Sequence, residues 1–398
     1  MFRRTKMSTS RALVVLAVSL ACLGAGTSAL AAQSVAFAQI QGVVTDQTGA
    51  VVPGAEVVVR NTETGAERLL ISDDSGRYRA LSLRPGSYAV IVTVPGFATI
   101  ERTGIDAEVG STATVDIELQ VAAAGETITV VDSAPIVETE KTGYTARISE
   151  ESVVNLPING RRWDNFALLT PSVQPDGDFG LVSYRGVSGL YNNNMIDGAD
   201  NNQGFFSEAR GRTRVAYTVS QASIKEFEVG VSSYSAEFGR SVGGTINAVT
   251  KSGTNNFHGE AFYFIRDDAM NAADPFNNAQ GFPKLPERRQ QFGFSLGGPL
   301  KEDKVYYFLN YDHQIRNFPG IADDEDGFTD RNGNLFISDD FIVEDICDFD
   351  AARCNAARDQ LLTRMGVFGR KGFNNVALGK LDWNVNDTHT FGVQYNWH

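Results

Sequence analysis

Three cysteines, four histidines and five methionines in 398 residues leave several kinds of protein without material. Three cysteines are too few for a disulfide-stapled scaffold. The histidines, His258, His313, His389 and His398, are scattered without the ligand spacing of a zinc site. Basic charge is short too: the net charge is −13 and no basic block follows the N-terminus, which argues against a nucleic-acid partner. Past the N-terminal region no apolar run is long enough to cross a bilayer as a helix. What the chain does have is 39 glycines, a balance that favours β structure with many turns over helical bundles.

Residues 1–38 read as a secretory signal. Arg3, Arg4, Lys6 and Arg11 form a basic start, and 12–23 is an almost unbroken apolar run. Ala29-Leu30-Ala31 and Ala36-Phe37-Ala38 both offer a small-residue cleavage site; Cys22 as a lipid attachment point is disfavoured by Ser19, where leucine is expected. An exported chain without spanning helices is either water-soluble or inserted as a β-barrel.

Residues 39–120 alternate short strand patterns, at 40–45, 55–61, 67–72, 78–81, 87–94 and 113–119, with turns such as Thr64-Gly65, Asp74-Ser75-Gly76, Arg84-Pro85-Gly86 and Pro95-Gly96. Strands at this spacing point to a small sandwich. The glycine and proline pattern resembles the carboxypeptidase regulatory-like domain, a transthyretin-like, carbohydrate-binding-like β-sandwich. With only Tyr78, Tyr88 and Phe97 as stacking platforms, a spacer or docking role is preferred to sugar binding.

Residues 121–145 form a linker, and 146–256 an α+β unit. In the latter, Ser149 caps a short helix ending before Pro157, a second helix runs over 163–169, and strand patterns follow. From 257 to 398 five segments of about ten residues alternate apolar and polar and end in aromatics. Phe292, Phe294 and Leu296 oppose Gln291, Gly293 and Ser295; Phe391, Val393, Tyr395 and Trp397 oppose Thr390, Gln394 and Asn396. Tight turns at 298–303 and 385–388 alternate with long connections at 267–289 and 313–373, the short-and-long rhythm of an outer-membrane barrel. The long connections are expected outside the cell. Eleven Asp or Glu against Arg331 alone, between 323 and 350, fall on the second of them. Cys347 and Cys354 lie there too, and in an oxidising location a disulfide between them is expected, with two free thiols as the alternative.

Covalent chemistry finds little support. Gly239-Arg240-Ser241-Val242-Gly243 fits a nucleophile-elbow pattern, but a strand follows at 245–250 where that motif needs a helix. The acidic 323–334 stretch lacks EF-hand order: Leu335 and Phe341 stand where glycine and the bidentate glutamate belong.

The stretch 224–259, IKEFEVGVSSYSAEFGRSVGGTINAVTKSGTNNFHG, resembles the segment in which the plug of a TonB-dependent outer-membrane receptor hands over to its barrel. With LPINGRRWDNFALLTPSV and the sandwich before it, the chain resembles the Oar-like group of these receptors over nearly its whole mature length. The resemblance implies a mainly β protein: sandwich, α+β plug, and the first strands of an antiparallel transmembrane barrel. It implies a TonB box at Thr127, Ile128, Thr129, Val130 and Val131, although the same residues also suit a last strand of the sandwich. Plug motifs are expected at Arg185-Gly186, Asp197-Gly198, Glu226, Glu228 and Gly243-Gly244. For Gly198 a structural turn suffices, whereas Arg185 and Glu226 or Glu228 are expected to face the barrel lumen. The implied partners are the TonB energy-transducing complex, outer-membrane lipid and an extracellular ligand (siderophore, glycan or peptide). No cofactor and no enzymatic activity are implied, and the sandwich is expected in the periplasm. An adhesion or secretion-assembly protein is the alternative. Since such barrels close with about twenty-two strands and five are legible, the chain is expected to be the N-terminal portion of a receptor or a truncated product.

Overall fold

The structure is a computed structural model. It describes residues 37–121, 127–131, 144–158, 161–176, 181–203, 217–232, 239–273, 275, 279, 284, 286–322, 360, 366–386 and 389–398. Residues 1–36 of the expected signal 1–38, the acidic stretch 323–350, Cys347 and Cys354 lie outside the described residues.

The first unit comprises β1 (Ala38–Asp46), β2 (Glu56–Asn61), β3 (Glu67–Ile71), β4 (Arg77–Leu83), β5 (Gly86–Thr93), β6 (Thr99–Ala107), β7 (Thr112–Thr114), β8 (Ile117–Leu119) and β9 (Thr127–Val131). One sheet runs β4-β1-β7 with β8 also on β1; the other runs β3-β2-β5-β6-β9. Alternate residues of both sheets, among them Ile40, Val44, Val57, Val59, Val90, Val92, Ile117 and Leu119, meet in one core. Each such side chain contributes about 1.5–3 kcal/mol on burial. The sequence pattern had no strand at 99–107, because Gly104, at positive φ, interrupts the alternation there.

The second unit begins with β10 (Tyr144–Ile148) and α1 (Glu150–Asn155), whose Ser149 cap accepts from the Ser152 N–H as expected. The segment Trp163–Leu169 is a 3-10 helix that seats Trp163 and Phe166 against Phe227. Then come β11 (Val173–Asp176), β12 (Leu181–Tyr184), β13 (Asn193–Ile196), β14 (Ala199–Asp200), β15 (Ile224–Ser232) and β16 (Thr245–Thr250). Strands β11 and β12 form a hairpin, and a mixed sheet runs β10-β15-β16-β13-β14. Both central strands are buried on both faces, so β15 and β16 lose the clean alternation of a half-exposed strand.

The third unit is an antiparallel sheet of β17 (His258–Asp267), β18 (Arg288–Lys301), β19 (Val305–Ala322), β20 (Gly366–Asn386) and β21 (His389–Trp397), paired in chain order and open between its first and last strands. Strands β19 and β20 pair from Val305↔Trp383 to Ala322↔Gly366, so the long connection between them is 323–365, shorter than the alternation in sequence indicated. Tyr263, Phe292, Phe294, Leu296, Leu309, Leu381 and Trp383 stand exposed on the outer face. Gln291, Ser295, Tyr306, Phe308, Asn310 and Asp312 are buried on the inner one.

Candidate functional site

The second unit meets the inner wall through one buried carboxylate. Asp312, on β19, is 0% exposed. The Tyr217 hydroxyl donates to its Oδ1 at 2.7 Å and the Ser220 hydroxyl to its Oδ2 at 2.6 Å. Gln291 of β18 donates through Nε2 to Asp312 Oδ1 and Oδ2, at 3.1 and 3.0 Å. A buried carboxylate is tolerated only with such partners. Burial, reinforced by Asp312, pushes the Tyr217 phenol well above its ordinary range, so it remains a donor. The same segment is held by its main chain: Asn374 donates to the Tyr217 carbonyl at 2.9 Å and Asn396 to that of Thr218 at 3.1 Å. Four strands of the third unit thus grip Tyr217, Thr218 and Ser220.

Arg161 makes a second bridge, its guanidinium lying 4.8 Å from the Phe262 ring centroid and 4.3 Å from that of Phe264. These two aromatics therefore belong to the inner wall. Gly293 makes room for one of them: a Cβ there would come 2.7 Å from the Phe262 ring. At the wall's lower edge Lys380 donates to the Thr250 hydroxyl at 3.3 Å, and Thr250 in turn donates to Asp197 from N and Oγ1 at 2.9 and 2.7 Å.

The residues singled out from sequence fall in several places. Asp197 and Gly198 both have positive φ, as the tight turn between β13 and β14 requires, and Arg185-Gly186 make a like turn after β12. Gly243 and Gly244 leave no room for side chains: added Cβ atoms would sit 2.3 Å from Asn192 Oδ1 and from the Tyr184 ring. Arg185 is exposed at its turn. Glu226 and Glu228 do not face the barrel lumen; they face the sandwich. Glu226 Oε1 accepts from the Val109 N–H at 2.9 Å, and Glu228 lies against Gly110. The reason lies in the sheet: β15 is central and antiparallel to β10, so its glutamates share an end with Arg147, which donates to the Val109 carbonyl and pairs with Glu108 at 3.3 Å. Ser241 Oγ donates to the Gly244 carbonyl at 2.7 Å and to that of Tyr191 at 3.4 Å, a loop-fixing role. No cluster of metal-ligating side chains occurs among the described residues.

The sandwich also touches the barrel. Arg84 pairs with Asp382 at 2.7 Å, the Tyr306 hydroxyl donates to the Thr64 carbonyl, and the Asn255 N–H donates to the Glu63 carbonyl at 2.9 Å. Lys225 of the second unit reaches Glu63 and the Pro85 carbonyl, both at 3.2 Å. All lie at the end of the sheet with the short turns. Strand β9 pairs in parallel with β6, from Thr99↔Thr127 to Thr103↔Val131, as the outermost strand of the sandwich sheet.

Glu226 gives this docking a pH dependence. Burial pushes its carboxyl up to about 7, with Glu108 adding to the rise and the Val109 N–H, Lys225 and Arg147 opposing it. Undocked, the group returns toward its ordinary 4.5. The docked state therefore binds more protons between those values, and docking weakens as pH rises through that window. A spin-label distance between sandwich and plug is expected to be shorter and narrower at about pH 5 than above pH 7. Glu226→Gln is expected to abolish the difference.

Comparison with known proteins places these parts. Residues 39–120 match the carboxypeptidase regulatory-like domain, and residues 249–321 match an outer membrane beta barrel domain. The TonB-dependent transporter Oar of Myxococcus xanthus is 28% identical over 333 residues, 78% of this chain and 30% of the relative. Among solved structures, the siderophore receptor PirA from Acinetobacter baumannii is 18% identical, with a TM-score of 0.42, over 63% of this chain and 31% of that one. The outer membrane transporter YddB from Escherichia coli is 15% identical, with a TM-score of 0.42, over 63% of this chain and 32% of that one. The chain thus spans about a third of the length of these relatives. It is a homologue of a TonB-dependent transporter, mostly β, with matches to a carboxypeptidase regulatory-like domain and to an outer membrane beta barrel domain.

Proposed function

We propose that the chain works in a TonB-dependent outer-membrane receptor that binds an extracellular ligand and admits it when a TonB protein pulls on β9 and remodels the plug. The observation that carries this reading is the grip of Asp312, Gln291, Asn374 and Asn396 on Tyr217–Ser220. It fastens a soluble-type mixed sheet to the polar side of a sheet whose other side is aromatic. Each such bond is directional and contributes about 0.5–1.5 kcal/mol net, more where the carboxylate takes part, so the set can hold a resting plug and be broken bond by bond. The sandwich shares the end of the short turns, which supports its lying on the periplasmic side. The TonB protein would recognise β9 by strand addition, main-chain bonds giving affinity and alternate side chains specificity.

Proline at position 128 tests this. It removes a main-chain donor from the middle of a five-residue strand. With the full-length protein, Ile128→Pro is expected to reduce retention on the immobilised periplasmic domain of the host TonB protein by roughly ten-fold or more, the loss of about 1.4 kcal/mol. Retention equal to that of the unaltered protein would overturn the reading.

A further inference from the structure

Strand β9 cannot serve the sandwich and a TonB protein at once. Its edge toward β6 is filled by five register pairs. Its two faces are unequal. Thr129 is exposed, whereas Ile128 and Val130 are half-buried and Ile128 packs against the sandwich core. A partner that takes up β9 by strand addition needs pockets for alternate side chains, and the apolar pair that would fill them lies on the half-buried face, with Ile128 packed against the core. Addition to the open edge of β9 would leave Ile128 and Val130 where they are and give the partner main-chain bonds alone.

The hold on β9 is correspondingly light. Among the described residues it is the outermost strand, bonded on one side only, and joined in parallel, the slightly weaker arrangement. Without it, β3-β2-β5-β6 and the facing sheet retain their core of Val57, Val59, Val90, Val92 and Ile100. Past Thr103 the same β6 runs on to Ala107 and directly into the Glu108–Gly110 turn, which holds Glu226 and Arg147 of the plug. The strand that retains β9 is therefore continuous with the sandwich's contact to the plug.

From this placement we infer that β6 is a resting dock for β9, and that a TonB protein binds β9 only after it has left β6, so that the sandwich governs how available the receptor is to its energy source. The inference rests on the reading of β9 given above and adds the order of events.

A cross-link separates the alternatives. Glu101 and Thr129 are register partners on the outer face, at a spacing a disulfide spans. The full-length protein carrying Glu101→Cys and Thr129→Cys, with Cys347→Ser and Cys354→Ser to leave no competing thiol on that segment, is assayed oxidised and reduced against the periplasmic domain of the host TonB protein. The reduced form serves as its own folded control. The oxidised form is expected to bind at least ten-fold more weakly, with affinity restored on reduction. Equal binding by the two forms, lost on Ile128→Pro, would show that β9 is read at its open edge and overturn the inference alone. Binding that Ile128→Pro leaves intact would remove β9 as the docking strand, and the inference with it.

Discussion

Asp312→Leu is expected to release the plug from the wall without disturbing the strands that form it. The carboxylate accepts from Tyr217, Ser220 and Gln291, all buried. Leucine has similar bulk and suits a strand, so the register of β18 and β19 has no reason to shift. What it removes is the acceptor of the Tyr217 and Ser220 hydroxyl protons, away from water, while the Gln291 amide keeps only the Tyr217 oxygen at 2.9 Å. Each orphaned group costs about 1–3 kcal/mol, and breaking a buried charged cluster by removing one member typically costs about 3–5 kcal/mol. Amide hydrogen exchange over Tyr217–Ser232 should therefore accelerate by roughly a hundred-fold or more, while β18 and β19 retain their protection. Asp312→Asn keeps one acceptor oxygen and is expected to show a smaller loss. Unchanged protection in the leucine variant would mean that the plug is held by other means.

Phe294→Arg is expected to be the most damaging single change on the outer face of the sheet. Phe294 is 46% exposed, and Leu69 on β3 of the sandwich is 58% exposed. By exposure alone, arginine should be harmless at both. The two differ in what they are exposed to. Leu69 faces water, where a surface substitution changes stability by about 0.5 kcal/mol at most. Phe294 lies in the middle of β18, beside Ala261 and Tyr311 on the neighbouring strands. There a charge in hydrocarbon costs about 2–4 kcal/mol. The urea midpoint of the full-length protein in lipid vesicles is the measurement: Phe294→Arg should lower it sharply and Leu69→Arg leave it in place.

The sandwich was legible because its corners are chemical: glycine and proline punctuation marked seven of its nine strands in part or whole. β6 escaped because Gly104 breaks its period, and with it went the edge on which β9 lies. The outward residues of β17 to β21 could be read directly, since period two sorts them by face. Their inward neighbours were harder. Phe262, Phe264, Tyr306 and Phe308 are as apolar as the outer face, and what they meet is set by the fold: Arg161 for the first two, the sandwich's Thr64 carbonyl for Tyr306, and His258 for Phe308. The anchor itself was beyond pattern reasoning. Tyr217 and Asp312 lie 95 residues apart and share no motif. The one signal was an acid at an inward strand position, which reads equally well as a wetted lumen residue. Glu226 and Glu228 were expected to face the barrel lumen, but which unit they face depends on how the sandwich docks.

The central claim is that the outer face of β17–β21 meets lipid, and the tryptophans report on it. The chain has three: Trp163 is 3% exposed inside the plug, while Trp383 and Trp397 are 47% and 48% exposed on the outer face. With Trp163→Phe removing the internal emitter, and any tryptophan outside these 398 residues replaced by phenylalanine, the protein is placed in vesicles of lipids brominated along the acyl chain. Strong quenching of the remaining emission by the brominated chains, with little effect of aqueous iodide, is the predicted result. Emission quenched by iodide and indifferent to bromine would place these strands in water and contradict the account.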